Sequence, residues 1–386
     1  MKPSDYLVRS QVVPHPQGLP KGASIYSKLK HLPSDRGFSL EENTLAIIGV
    51  NESRNSFNKD ASKGPDAIRR YLYALSGSNI KFPLVDLGDI IDTQRPNDTY
   101  GALSEVVSQV VAKQGVCVVL GGTQELTWPV YRGIAENRSK VNVTLIDQTV
   151  DLGENDGDFS STSFIDKFLQ EPTERLFSLN VIGYQGYLSH SQNIATLKVR
   201  NSEVVRLGQV RAAMSETEPT LRDTDLVSLD MGCVRQGDNP GSFYPSPNGF
   251  YAEEVCQLAR YSGLSPRAGA FGIFELNCGN DINGQSAHLA AQTIWHFIDA
   301  FNSRTRYLHV PGPSASLKKY FIKSPVPNIN LVFLHNTSNN TWWFELTPPN
   351  DKGSEVMLVA CSYNDYKLAS SGDVPERWLR AWKKVI

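Results

Sequence analysis

The sequence has no apolar run long enough to cross a membrane, no close pair of cysteines and no surplus of either charge. Its longest apolar stretches, such as Val116-Cys117-Val118-Val119-Leu120, fall far short of the roughly 20 residues that a membrane helix needs. The start Met1-Lys2-Pro3-Ser4-Asp5 lacks the hydrophobic region of a signal peptide. The expectation is a soluble, cytoplasmic chain with no membrane insertion. Lys and Arg (38) nearly balance Asp and Glu (40) for a net charge of −2, which leaves no broad electrostatic reason to bind nucleic acid. The five cysteines, Cys117, Cys233, Cys256, Cys278 and Cys361, are scattered and have no His or Lys beside them in sequence. That pattern argues against a disulfide framework and a cysteine zinc site, and it reads as small buried side chains rather than reactive thiols.

What the 386 residues do contain is enough apolar surface, 40% of positions, to fill a large core. The first stretch, residues 1–42, is rich in Pro, Ser, Lys and Gly without a period, and reads as an irregular extension. From Asn43 short apolar runs alternate with longer amphipathic stretches. The runs are Leu45 to Val50, Pro83 to Leu87, Val116 to Leu120, Val141 to Ile146, Leu179 to Tyr184, Leu226 to Leu229 and Ala268 to Leu276. Helices are expected at Pro65 to Leu75, Tyr100 to Lys113, Ala252 to Tyr261 and Ser286 to Phe301. Such alternation over residues 43–306 predicts an α/β fold, a mostly parallel sheet with helices on both faces.

Past Arg306 the texture changes. Ile329 to Asn336, Thr341 to Thr347 and Glu355 to Ser362 read as short strands, the first two joined by the polar turn Asn336-Thr337-Ser338-Asn339-Asn340. Pro375 to Trp382 reads as a helix turning Trp378 and Trp382 inward at i, i+4 spacing. Trp342 and Trp343 are neighbours and cannot share one face of a strand, so one of them is expected at an interface or exposed. Residues 307–386 are therefore expected to form a small C-terminal β-hairpin and helix extension docked on the α/β domain.

Three of the apolar runs end in acids: Asp147 with Asp151, Asp230, and Glu275. The C-terminal ends of parallel strands are where open α/β sheets place ligands and metals, so these acids are candidates for one site. Arg235, five residues beyond Asp230, is a candidate counter-ion.

Four blocks occur in order: Gly121-Gly122-Thr123-Gln124-Glu125-Leu126-Thr127, Asp147-Gln148-Thr149-Val150-Asp151, Ser228-Leu229-Asp230-Met231-Gly232 and Phe274-Glu275-Leu276-Asn277. With Gly64-Pro65-Asp66-Ala67-Ile68-Arg69, Pro247-Asn248-Gly249-Phe250 and Asp281-Ile282-Asn283, they make residues 45–306 resemble the arginase/agmatinase/formimidoylglutamase (ureohydrolase) family, and most of all its formimidoylglutamase-like branch. The resemblance implies a three-layer α/β/α sandwich and a homo-oligomer, with the face of Ser286 to Phe301 that carries His288, Leu289, Thr293 and His296 as a candidate contact.

It also implies where catalysis is at risk. Active members hold two Mn²⁺ ions with ligands drawn from Gly-Gly-Asp-His-Ser, Asp-Ala-His-x-Asp and Ser-x-Asp-x-Asp. Gln124, Thr149 and Gly232 stand where a His, a His and an Asp belong, so three of six ligands are missing. The remnant pocket is Gln124, Asp147, Thr149, Asp151, Asp230 and Gly232. No cofactor is expected, or at most one weakly bound Mg²⁺, Ca²⁺ or Mn²⁺ on Asp147, Asp151, Asp230 and the amide oxygen of Gln124. Asp158-Phe159-Ser160-Ser161-Thr162-Ser163 offers no imidazole as a proton shuttle, and His15, His31, His190, His288, His296, His309 and His335 all fall outside the metal blocks.

By the same resemblance Glu275 faces a guanidinium or similar cation. The expected protein is a pseudo-enzyme that serves in binding, assembly or regulation, with a protein partner on its C-terminal extension. The alternative is a C–N hydrolase acting on an amidine or guanidine through one metal or a rearranged set, aided by an acid of the loop Gly153-Glu154-Asn155-Asp156-Gly157-Asp158.

Overall fold

The computed structural model describes residues 3–16, 19–20, 22–31, 40–153, 159–304, 316–324, 330–347 and 356–384. The acidic loop at 154–158, His309, the expected boundary at Arg306 and the expected strand starts at Ile329 and Glu355 lie outside the described residues. Among the described residues no helix is long and apolar enough to cross a membrane.

Among the described residues ten strands build the main sheet: β1 (Leu7–Val8), β2 (Lys30–His31), β3 (Leu45–Val50), β4 (Leu84–Ile90), β5 (Val116–Gly121), β6 (Val141–Ile146), β7 (Leu176–Tyr184), β8 (Val204–Arg206), β9 (Leu226–Asp230) and β10 (Ala270–Phe274). Their order is β1-β4-β3-β5-β10-β9-β6-β7-β8, with β2 also on β4. Among the described residues only the β1–β4 pair of this sheet is antiparallel. The short β1 and β2 come from the Pro-rich start of the chain, where no periodicity announced them.

Apolar runs on both faces explain the sandwich. In β5, Val116, Val118 and Leu120 pack with Val255, Leu258, Ile294 and Phe297 of helices Ala252–Gly263 and Gln285–Phe301. The alternate residues Cys117 and Val119 pack with Leu103, Val106, Val130 and Ile134 of helices Pro96–Ala112 and Thr127–Ala135. A strand buried on both faces needs no polar alternation, which is why these runs read as continuous. The expected helix face for self-association is partly spent inside the chain: Leu289 and Thr293 are buried, and His288 stacks on Tyr71 at 4.9 Å.

A second, antiparallel sheet follows: β11 (Leu317–Lys323), β12 (Asn330–Asn336), β13 (Thr341–Leu346) and β14 (Met357–Cys361). Helices Tyr363–Ser370 and Glu376–Trp382 close its core, where Trp378 meets Phe333, Phe344 and Trp342. The fourth strand, β11, escaped the sequence pattern because lysines fill much of it, as befits an edge. Arg222 of the α/β unit donates to the carbonyls of Trp342 (3.0 Å) and Cys361 (3.3 Å), and its guanidinium lies 4.7 Å over the ring of Trp343. Trp342 is buried and Trp343 half-buried, so the pair splits between two faces and the second face meets Arg222 of the same chain.

For the site, the decisive feature is the run β5-β10-β9-β6 at the centre of the sheet. Four strands that are far apart in sequence bring the residues after their C-terminal ends side by side.

Candidate functional site

Each of those four strand ends supplies one polar residue: Gln124 after β5, Glu275 after β10, Asp230 at the end of β9 and Asp147 after β6. The turn after β5 is tight, since a Cβ on Gly122 would lie 1.8 Å from the carbonyl oxygen of Glu52. Only glycine lets the chain pass there and deliver Thr123 and Gln124 to the sheet edge. Glu275 takes a positive φ of 64°, unusual for a residue with a side chain. The turn is held by its N–H donating to the Gly122 carbonyl (2.9 Å), and its carboxylate accepts from the Gln124 N–H (2.9 Å) and the Asn58 amide (2.9 Å).

The acids gather as the sequence led us to expect. Carboxyl oxygens of Asp147, Asp151 and Asp230 all lie within 4.8 Å of one another. The Thr149 hydroxyl contacts Asp147 Oδ1 (3.2 Å) and Asp151 Oδ1 (3.0 Å), while the Thr149 N–H donates to Asp147 Oδ1 (2.9 Å). The Gly232 N–H donates to Asp230 Oδ1 (2.5 Å). Burial pushes the carboxyls of Asp147, Asp151 and Asp230 above the usual range, and for Asp151 and Asp230 the neighbouring acids push further. Burial also raises Glu275 to about 7. Beneath them Glu125 is fully buried and pushed up to about 8, first by burial and then by Glu275.

Gln124 sits under this cluster, 1% exposed, with Nε2 3.5 Å from Ser228 Oγ. Its side chain also hydrogen-bonds Asp147, yet its Oε1 has no donor. A carboxylate only accepts, so it is the Gln124 N–H that faces Asp147, and its Oε1 reaches a hard cation among the acids only if the amide turns over. The carboxyl oxygens of Asp147, Asp151 and Asp230 fit one such ion, with Gln124 joining them only through the turned amide. They do not fit a pair, because Thr149 contributes only a neutral hydroxyl and Gly232 no side chain.

Above the acids opens a cavity of about 510 Å³. Asp151, Asp230 and Glu275 reach it from below, and Phe57, Tyr187, Leu188, Phe243, Tyr244 and Pro245 wall it. These walls and Asn58 were not singled out from the sequence. Phe243-Tyr244-Pro245-Ser246-Pro247 carried a signal in its density of rings and prolines; Phe57, Asn58 and Tyr187 carried none.

Arg235 is not the counter-ion of the acid cluster. It pairs with Asp238 at 2.9 Å and lies 4.2 Å over the ring of Tyr251, since the chain after β9 turns away within a few residues. No histidine joins the cluster among the described residues. The cysteines Cys117, Cys233, Cys256 and Cys361 are buried and free, Cys278 half-buried and free, as expected of small packing residues.

The family model of the arginase family matches residues 43–299. Among curated proteins, the chain is similar to a formimidoylglutamase of Lysinibacillus sphaericus, 24% identical over 293 residues, covering 71% of this chain and 90% of the relative. Among solved structures it is similar to Trypanosoma cruzi formiminoglutamase with Mn2+2, at TM-score 0.62 and 22% identity, covering 68% of this chain and 94% of that one. It is also similar to the formimidoylglutamase from Bacillus subtilis, at TM-score 0.65 and 19% identity, covering 74% and 94%. The fold of these neighbours is the arginase-like sandwich expected from the sequence. A neighbour solved with manganese gives no support to the expectation that the chain needs no cofactor.

Proposed function

We propose that this chain, which belongs to the arginase family, uses the pocket at the ends of β5, β6, β9 and β10 to bind a ligand rather than to hydrolyse one. The observation that carries this reading is the way the chain's own groups occupy the acid cluster. The Thr149 hydroxyl and N–H and the Gly232 N–H bond to the carboxyls of Asp147, Asp151 and Asp230, at the two positions whose side chains a second metal would need. A metal pair supplies a hydroxide near neutral pH, and without it a water nucleophile keeps a pKa close to 15.7. Asp147, Asp151, Asp230 and Gln124 are the residues that would hold a single Mg²⁺, Ca²⁺ or Mn²⁺. Such an ion would gather the acids without restoring the bridged pair.

Formimidoylglutamase is the name of several relatives, so hydrolysis of a non-peptide C–N bond is the rival activity. Metal analysis and turnover decide between them. The expected result is at most one divalent ion per chain after dialysis against excess Mn²⁺, and no hydrolysis of formimidoylglutamate, arginine or agmatine above background. Two Mn²⁺ per chain with turnover would overturn the proposal. The triple variant Gln124→His, Thr149→His, Gly232→Asp is expected to gain the second ion. In it Asp230 must rotate, because a Cβ at position 232 lies 2.9 Å from Asp230 Oδ1. Self-association belongs to the same proposal, and a monomeric mass at micromolar concentration would remove it.

A further inference from the structure

We infer that the junction between the α/β unit and the C-terminal extension binds a free α-amino acid, held by its ammonium and its carboxylate at the N-terminal ends of β6 and β7. This is the far end of the sheet from the acid cluster, and the site stands whether or not that cluster hydrolyses anything. A parallel strand covered on both faces is expected to be apolar throughout. Yet β6 and β7 carry Asn142, Thr144, Ser178 and Asn180 in alternation with core residues, on the face that Ile146 and Ile182 share. The register also skips here: Val141 pairs with Leu176 and Asn142 with Ser178, which leaves Phe177 as a bulge. Bulges kink a strand locally and are common beside functional sites. Over this patch β14 and the helix Glu376–Trp382 close a cavity of about 50 Å³.

The cavity holds charges of both signs, and they do not cancel. Glu203 is met by Arg380 (3.2 Å) and Arg377 (3.7 Å), and Arg377 also pairs with Asp365. Lys384 has no carboxylate partner among the described residues; its ammonium donates to the Ser178 hydroxyl (2.7 Å) and lies 5.2 Å over the Phe177 ring. Burial, and then Arg380, push that ammonium down to about 8. Asn142 neighbours Ser178 across the β6–β7 pairing; its amide N–H donates to the Asp223 carbonyl (2.7 Å), while its Oδ1 is buried without a donor. The Asp223 carboxylate has Arg267 at 3.8 Å, and burial raises it to about 6. A plain anion would meet Glu203 and Asp223 in this small space, and a plain amine would meet Lys384, Arg377 and Arg380. An α-amino acid answers both, its carboxylate toward Lys384 and Arg380 and its ammonium toward Asn142 Oδ1 and Asp223. One water takes roughly 10–15 Å³, so the cavity accommodates a head of only a few heavy atoms. It shares Glu203, Thr220, Arg377 and Arg380 with a groove of about 720 Å³, which leaves room for a side chain.

The test is isothermal titration of the full chain with L-alanine, L-serine and L-glutamine, and with propionate, L-lactate and ethylamine. The last three are alanine without its ammonium, with a hydroxyl in its place, and without its carboxylate. Alanine is expected to bind at least about tenfold more tightly than each of them, since each lacks one charged contact. Lys384→Met keeps the stem over Phe177 and removes the ammonium, and Asp223→Asn keeps the shape and removes the carboxylate. Each variant is expected to unfold cooperatively and to bind alanine at least about tenfold more weakly. No binding of any amino acid, propionate, lactate or ethylamine binding as tightly as alanine, or an unchanged alanine affinity in Lys384→Met would each overturn the inference. Asp230→Asn, at the opposite end of the sheet, is expected to leave alanine affinity as it is; a loss there would put the amino acid in the strand-end pocket and overturn the inference too. Turnover by the metal-loaded chain would overturn the non-catalytic reading and leave this site standing.

Discussion

The guanidinium of Arg69, on the helix Gly64–Leu72, donates to both oxygens of Asp86 on β4 (2.9 and 3.1 Å), to the Gly88 carbonyl (2.8 Å) and to Asp89, while the Tyr73 hydroxyl donates to Asp86. At the ends of β6 and β9, Asp147, Asp151 and Asp230 crowd together with neutral partners only. Both clusters are built from aspartates on the same parallel sheet. The first contains its own cation, so its charges serve the fold. The second leaves its charges open, and it lies under a cavity. Buried acids without a resident cation cost stability, which is the expected mark of a site rather than of a scaffold.

The largest test of this contrast is Arg69→Leu, which leaves Asp86 and Asp89 without their cation and is expected to cost about 4 kcal/mol in urea unfolding. Next comes pH. Glu275 is raised to about 7 and Glu125 to about 8, so the folded chain holds protons that the unfolded chain releases near pH 4.5. Stability is therefore expected to fall steadily as pH rises from 5 to about 9 and to level off above that. Unfolding followed across that window checks it, and Glu275→Gln should flatten part of the slope. Gly49→Ala would place a Cβ 1.8 Å from Asp89 Oδ1 and 2.6 Å from Arg69 Nη1. Crowding of the paired cluster is expected to lower stability by about 2 kcal/mol, read as a drop in Tm. The smallest effect has the opposite sign: Asp230→Asn keeps an acceptor for the Gly232 N–H but removes one like charge, and is expected to stabilise the apo chain by about 1 kcal/mol. A destabilised Asp230→Asn chain would show that the two clusters are alike after all.

The sheet was legible because its strands are buried on both faces, so that Leu45–Val50, Val116–Gly121 and Val141–Ile146 read as unbroken apolar runs. Asp147, Asp151, Asp230 and Glu275 were legible because they stop such runs. β8, with its half-buried and exposed residues, and the lysine-rich β11 were not, because edge strands carry no strong apolar pattern. Nor could spacing place Asn58, which reaches Glu275 across 217 positions of sequence, or Arg235, whose nearness to Asp230 along the chain is undone by one turn.

The interleaving of β5 and β9 by β10 has a further consequence, for synthesis. β10 pairs with both neighbours along Ala270 to Ile273, and β5 ends at Gly121, about 150 residues earlier. At roughly 5–20 residues per second a ribosome needs on the order of 10–30 s to bridge that interval. Throughout it one edge of β5, a strand of six buried residues, has no partner from its own chain. The nascent protein thus carries an adhesive border that only its last parallel strand can seal, and any slowing of translation between Thr127 and Ala270 lengthens the time in which a chaperone must shield it.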